Sequence, residues 1–206
     1  MGTDIYGFVE VRHPFADEDW YEWEPWVCLM PISPLYLNDD DDAFACLFGV
    51  RNWLRWEPVA AERGLPADVS SAVGGSHEKD GRLDSAVHGA SWVSWAELRD
   101  LDMSVVPLAR GLLRVEDPPL LRRFRVDDEW PGAFVEKYGV PPVGASPVEA
   151  SPGRWDAGGV TVEYGPVTTR HDVLGPGTGW EHVFAVMRAL GQRFGDDGVR
   201  LVVWFD

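Results

Sequence analysis

Cysteine is nearly missing from this chain: Cys28 and Cys46 are the only two in 206 residues. With no Cys-x-x-Cys spacing they carry no zinc or redox motif, and in their apolar surroundings they read as free thiols of a reducing compartment. Positive charge is equally scarce, with 18 Lys and Arg against 34 Asp and Glu and a formal net charge of −16. A surface of that sign repels phosphate backbones and anionic membranes, which disfavours direct nucleic-acid binding. The one basic cluster, Arg122, Arg123 and Arg125 after Arg110 and Arg114, runs into Asp127, Asp128 and Glu129 and reads as an internally paired face. No apolar run approaches the length of a membrane span, and the opening residues have a strand pattern rather than a basic segment followed by an apolar one. Neither a signal peptide nor a transmembrane helix is expected, and a cytoplasmic location follows.

The motifs of several enzyme classes are also absent. There is no Gly-x-Ser-x-Gly nucleophile elbow. The glycine-rich Gly175-Pro-Gly-Thr-Gly179 lacks both the Lys-Ser/Thr of a P-loop and the GxGxxG order of a dinucleotide fold, so it reads as a flexible entry to a helix. The run Asp39 to Asp42 lacks the alternating ligands, glycine and distal glutamate of an EF-hand. No cofactor and no metal site is expected.

What the chain has in quantity is apolar and aromatic surface, 45% and 12% of its residues, including 11 Trp. That is enough for a folded core despite the charge. The length suits one domain over residues 1–206, or at most a core with a small appended lobe. Asp4 to Arg12 alternates as a strand, with Ile5, Gly7, Val9 and Val11 opposite Tyr6, Phe8, Glu10 and Arg12, and Leu201 to Phe205 is a continuous run suited to a sheet buried on both sides. His13 to Glu24 is an acidic turn leading to a return strand at Trp26 to Leu29. The Asp39–Asp42 run caps a short helix ended by Gly49.

Further along, Glu62 to Ser70 reads as a turn leading into a short helix, and 74–86 as a loop without periodicity. Trp92 and Val93 form a strand, and Ser94-Trp-Ala-Glu97 is a capping box. Helical periodicity is read over Val105 to Leu113 and around Phe134 to Tyr138, and strands over Val160 to Tyr164 and Val167 to Leu174. The prolines at 141, 142, 147 and 152 mark a flexible loop near 141–153. Thr178-Gly-Trp-Glu181 fits a second capping box, and Trp180, Val183, Phe184, Met187, Leu190 and Phe194 form an apolar stripe ending at Gly195. The expectation is α+β: a mixed or antiparallel sheet with the first and last strands inside it, packed by a C-terminal amphipathic helix.

Three constellations are candidates for chemistry. Asp4 and Tyr6, beside Glu10, offer a carboxylate and a phenol as general base and hydrogen-bond donor, against the plainer alternative of an Asp holding a turn and a Tyr at a sheet edge. His88, followed by Ser91 and Trp92, offers an acid, base or ligand. Arg51, Asn52, Arg63 and Arg170 suit a bound carboxylate or phosphate, although pairing with the abundant Asp and Glu is the commoner fate of such residues.

Six ordered segments also carry a family likeness: Met1-Gly-Thr-Asp-Ile-Tyr6, Phe44 to Asn52, Arg63 to Asp68, His88 to Leu98, Arg170 to Leu174 and Val199 to Asp206. In them the chain resembles a family of uncharacterised phage and prokaryotic proteins that typically begin Met-Gly-Cys-Asp-Ile-His and close on an apolar strand ending Trp-Phe-Asp. The resemblance brings no assigned reaction. Where the family tends to show Cys and His in its opening, this chain has Thr3 and Tyr6; where it tends to read Asp-Gly-His-Ser-His-Ser-Trp, this chain has Ala86-Val-His-Gly-Ala-Ser-Trp92. The resemblance therefore implies that any soft metal site of the family is lost here, with Asp4 and His88 remaining from it.

The leading functional expectation is a phage-type, non-catalytic binding or protein-interaction module whose Trp excess serves a partner face. The alternative is a hydrolase or transferase acting on a small anionic substrate, with Asp4, Tyr6 and His88 as acid-base groups and Arg51, Arg63 or Arg170 as anion clamps. It requires the first strand, the His88 loop and the Arg170 segment to meet in one cleft. A weaker alternative is an acidic DNA mimic that inhibits a nucleic-acid enzyme. The partner is accordingly a protein or a small anion.

Overall fold

The computed structural model describes residues 3–115, 122–123, 136, 153–157, 160–166 and 168–206. The chain divides into two compact units, one of residues 1–52, 57–104 and 170–206 and one of residues 53–56 and 105–169. The larger unit carries β1 (Ile5–Arg12), β2 (Trp26–Pro31), β3 (His88–Ser94) and β8 (Val199–Phe205), and the smaller carries β4 (Arg110–Val115), β5 (Arg122–Arg123), β6 (Gly153–Ala157) and β7 (Val160–Pro166). The larger unit also carries helices α1 (Asp41–Phe48), α2 (Ser71–Leu83), α3 (Trp95–Arg99), α4 (Arg170–Leu174) and α5 (Trp180–Phe194).

The larger unit is built on an antiparallel sheet in the order β2-β1-β8-β3, so the first and last strands are its two inner ones. Their register runs from Ile5 opposite Phe205 to Val11 opposite Val199. Because side chains alternate along a strand, Ile5, Val9 and Val11 share a face with Val199, Leu201, Val203 and Phe205, while Tyr6, Phe8 and Glu10 share the other with Arg200, Val202 and Trp204. The continuous apolar run of β8 has its reason here: all seven of its residues are buried. Gly7 is required by close approach, since a Cβ there would stand 2.4 Å from the Val202 carbonyl oxygen and 2.8 Å from Val203 Cγ1.

One face of the sheet is covered by α1 and α5. Phe44 and Phe48 of α1 bring their rings to 5.2 and 5.8 Å from that of Phe205, and Tyr36 bridges Phe44 to Trp180 at the start of α5. The other face is covered by α2, whose buried Val73 packs with Val202 and Trp204. Helix α1 starts as its aspartates dictate: Asp40 accepts from the Asp42 and Ala43 N–H groups, and Gly49 closes it at φ 77°. The box at Ser94 and Glu97 is reciprocal, and α3 follows it.

Several sequence expectations give way. The region 74–86, expected as a loop, is mostly helix α2, started by Ser70 and seated through Val73 on the sheet. Its glycines weaken local propensity, and tertiary burial prevails. Val167 to Leu174, expected as a strand, is helical from Arg170, where Arg170, Val173 and Leu174 bury one helical face. Val105 to Leu113, expected as helical, instead enters β4, which pairs along its length with β7. The C-terminal helix begins one residue later than its capping-box reading requires: Gly179 is the N-cap, and Glu181 reaches back to accept from the N–H groups of Gly177 and Gly179. The proline-rich stretch 141–152 and nearly all of Phe134 to Tyr138 lie outside the described residues. In the smaller unit the strands form an antiparallel sheet in the order β5-β4-β7-β6. No helix among the described residues is long and apolar enough to cross a membrane.

Candidate functional site

The sheet gathers part of the candidate set at one end. β1 and β3 flank β8, so Ile5 and His88 both stand opposite Phe205, which brings Asp4, Tyr6 and His88 into the same neighbourhood. The Tyr6 phenol donates to Asp206 Oδ2 at 2.9 Å, and the Asp4 N–H donates to Asp206 Oδ1 at 3.3 Å. The His88 ring holds its own loop instead, with Nδ1 2.8 Å from the Ala86 carbonyl. Ser91 is fully buried and donates to the Ala60 carbonyl. Arg51 sits 3.5 Å from Asp41, and Asn52 follows it in the turn after α1. Arg170 is buried and donates to the Asp102 carbonyl at 3.0 Å. Arg63 and Trp92 belong to a second constellation described below. The acid-base candidates and the arginine candidates are thus tied to different partners at different places in the larger unit.

The contact between Tyr6 and Asp206 has a measurable signature. The hydrogen bond to the Asp206 carboxylate, then burial, then the negative charges of Asp206, Asp4 and Asp80 push the Tyr6 phenol up from 10.0 to about 12. A raised folded-state pKa means that the stabilisation is fully present below pH 10.0 and is lost as pH climbs through about 12. In a spectrophotometric titration of the tyrosinates, Tyr6→Phe is expected to remove a component with its midpoint near 12. Burial also pushes the Tyr36 phenol up, so a later component remains in the variant; if the amplitude near 12 is unchanged by Tyr6→Phe, the assigned bond is wrong.

The most elaborate polar arrangement centres on Arg200 of β8, a residue that sequence reasoning did not select. Its Nε donates to Glu10 Oε2 at 2.7 Å, its Nη1 to Asp68 Oδ1 at 2.7 Å and its Nη2 to the Asp68 carbonyl at 3.1 Å. Glu10 is completely buried, and its other oxygen accepts from the Ser70 N–H and hydroxyl at 3.0 and 2.5 Å. Trp26 donates its indole N–H to Asp68 Oδ2 at 2.8 Å. The Arg200 guanidinium also lies 3.8 Å from the Trp26 ring centroid and 6.0 Å from that of Trp92, and Arg63 lies 5.1 Å from the Trp92 centroid. Trp26, Arg200, Trp92 and Arg63 therefore alternate as ring and cation, each arginine gaining from a π face. Arg63 completes the row by donating twice to Glu97, at 2.6 and 3.1 Å, and to the Trp92 and Val59 carbonyls.

This row lines a cleft of about 730 Å³ that includes Trp26, Arg63, Asp68, Trp92, Glu97 and Arg200. Burial alone raises the carboxyl of Asp68, but hydrogen bonds from Arg200 and Trp26 outweigh it and hold that group below its ordinary value. Glu97 is lowered in the same way: burial opposes, while Arg63 and Ser94 prevail. Both guanidinium groups are already matched to carboxylates and carbonyls, so what the arrangement does chemically is pin the segment from Val59 to Ser70 onto the sheet. The only sequence signal for it was a single charge inside an otherwise apolar strand.

The hairpin connection between β1 and β2 presents a different surface. The His13 N–H closes its base onto the Pro25 carbonyl at 2.8 Å, and successive turns at Ala16, Glu18 and Tyr21 order the loop. Five rings then form a contiguous cluster. His13 stacks on Tyr21 at 4.4 Å and meets Phe15 at 5.6 Å, Phe15 meets Trp20 at 5.3 Å, Trp20 meets Tyr21 at 6.3 Å, and Tyr21 meets Trp23 at 5.4 Å. Despite this packing Phe15 is 49% exposed, Trp20 59% and Trp23 71%. Carboxylates interleave with the rings at Asp17, Glu18, Asp19, Glu22 and Glu24, and residues 13–25 contain no Lys or Arg. Asp17 pairs with Arg12, and Glu24 accepts from the Ser71 N–H; among the described residues no such partner engages Glu18, Asp19 or Glu22. The alternation of acid and aromatic residues from 17 to 24 was the available signal, and reading the stretch only as an acidic turn passed over it.

Among the described residues no group of three or more His, Cys, Asp or Glu is placed to hold a metal ion. Comparison with known proteins finds no matching family model, no matching curated protein and no matching solved structure.

Proposed function

We propose that the chain is a non-catalytic protein-binding module of the phage-type kind its motifs suggest, and that the β1–β2 hairpin is its contact surface. The observation that carries this reading is the exposure of Phe15, Trp20 and Trp23 in one ordered aromatic cluster. Large rings held in water cost hydration free energy that a partner's surface recovers, and Trp is the residue most enriched among energetic centres of interfaces. The cleft supports a catalytic role less well, because its arginines are engaged by Asp68, Glu10 and Glu97.

The test is a comparison of the wild-type chain with a Trp20→Ser/Trp23→Ser variant. Both positions are largely exposed, so each substitution is expected to cost only its ring contacts in the cluster, about 0.5–1.5 kcal/mol per pair, and to leave the chain folded. Binding to a partner isolated with the wild-type chain is expected to weaken at least about tenfold, the scale on which a central interface aromatic acts. A partner that binds both proteins equally well removes the hairpin from the interface.

A further inference from the structure

Resting on that reading, we infer that the partner is a polypeptide presenting an arginine-rich basic segment to the hairpin. Two features of the same surface point there. The first is charge: residues 13–25 hold Asp17, Glu18, Asp19, Glu22 and Glu24 with no basic residue among them, and Glu18, Asp19 and Glu22 have no partner among the described residues. Carboxylates around an aromatic patch repel acidic partners and attract cationic ones, which sets orientation and association rate. The second is chemistry: Trp20 and Trp23 are exposed and alternate in sequence with those carboxylates along one ordered loop. A guanidinium satisfies both at once, lying flat on a ring while its N–H fork meets a carboxylate, whereas the compact ammonium of lysine does one or the other less well.

The molecule uses the same combination internally. Arg200 lies 3.8 Å from the Trp26 ring centroid while donating to Asp68, and Trp26 donates to that same carboxylate. An arginine of a partner over Trp20 or Trp23, donating to Glu18, Asp19 or Glu22, would repeat that triad across an interface. A neutral apolar partner would leave three carboxylates to be desolvated without compensation, and an acidic one would add repulsion.

The experiment uses the full chain labelled with ¹⁵N and four synthetic peptides of equal length: Arg-Gly repeats, Lys-Gly repeats, Glu-Gly repeats and a neutral Leu-Ser peptide. Indole N–H signals of Trp20 and Trp23, assigned by their loss in the Trp20→Ser and Trp23→Ser variants, report contact with the hairpin. The Arg-Gly peptide is expected to shift both signals and to bind at least about fivefold more tightly than the Lys-Gly peptide. The preference should persist in 0.5 M salt, where long-range attraction is screened to within roughly 3–8 Å. Equal affinity of the two basic peptides overturns the arginine assignment in favour of charge alone. Binding of the Leu-Ser or Glu-Gly peptide at these two indoles, with no response to Arg-Gly, also overturns it but leaves the hairpin as the contact surface. Peptide binding that shifts other indoles while Trp20 and Trp23 stay fixed overturns both readings, as does the absence of any shift at millimolar peptide.

Discussion

Replacing Arg200 with methionine is expected to destabilise the fold by about 3–5 kcal/mol, the usual cost of removing one partner from a buried ion pair. Glu10 is completely buried, so loss of the guanidinium leaves a carboxylate with only Ser70 to satisfy it. The same substitution releases Asp68 from its two contacts and leaves the Trp26 face without its cation, which loosens the segment pinned to the sheet. For a protein of this size the thermal midpoint should fall by roughly 6–20 °C, taking about 2–4 °C per kcal/mol. The double variant Glu10→Met/Arg200→Met removes both charges and should recover part of the loss, because an apolar pair of similar volume is often tolerated where a lone buried charge is not. Urea unfolding of the two single variants and the double variant closes a cycle that isolates the coupling. A loss below about 1 kcal/mol for Arg200→Met is the range of an exposed ion pair and would sink the structural role assigned to the row.

Phe205→Ala should be comparably damaging, at about 3–5 kcal/mol for a fully buried ring. Phe205 is 0% exposed at the end of β8 and is held between Phe44 and Phe48, so it joins the last strand to α1. Gly89 lies against the same ring, where even a Cβ would stand 3.2 Å from Phe205 Cδ2, so the pocket has little freedom to collapse around a cavity. Phe205→Leu keeps more of the volume and should cost less than half as much. Unfolding midpoints in urea at an unchanged denaturant slope would register this as a stability effect. If Phe205→Ala costs no more than about 1.5 kcal/mol, as volume-conserving swaps do, β8 is not the spine of the sheet.

The sequence was legible where a local pattern and the tertiary fold agree. The alternation of β1, the apolar run of β8, the Asp40 and Gly49 caps of α1 and the stripe of α5 each state their structure within a few residues. Helix α2 was not legible because Gly74, Gly75 and Gly81 lower its propensity and a single buried residue, Val73, seats it. The β-branched residues between Val167 and Val173 give that stretch strand composition, yet Arg170–Leu174 is helical because Arg170, Val173 and Leu174 bury one side. The Arg200 row was hidden for another reason. Glu10 and Arg200 are 190 residues apart in sequence, and only the antiparallel register of β1 with β8 places them face to face. At the hairpin the residue types were visible, but their exposure depends on how the chain turns between β1 and β2, which composition does not state.

The most direct measurement is hydrogen exchange by mass spectrometry on the chain alone and in complex with a binding partner. The expected result is slowed exchange across residues 13–25, with the cleft segments from Arg63 to Asp68 and around Trp92 unchanged. Protection confined to those cleft segments, with 13–25 exchanging as in the free chain, would contradict the assignment of the hairpin as the contact surface and return the search to the cleft.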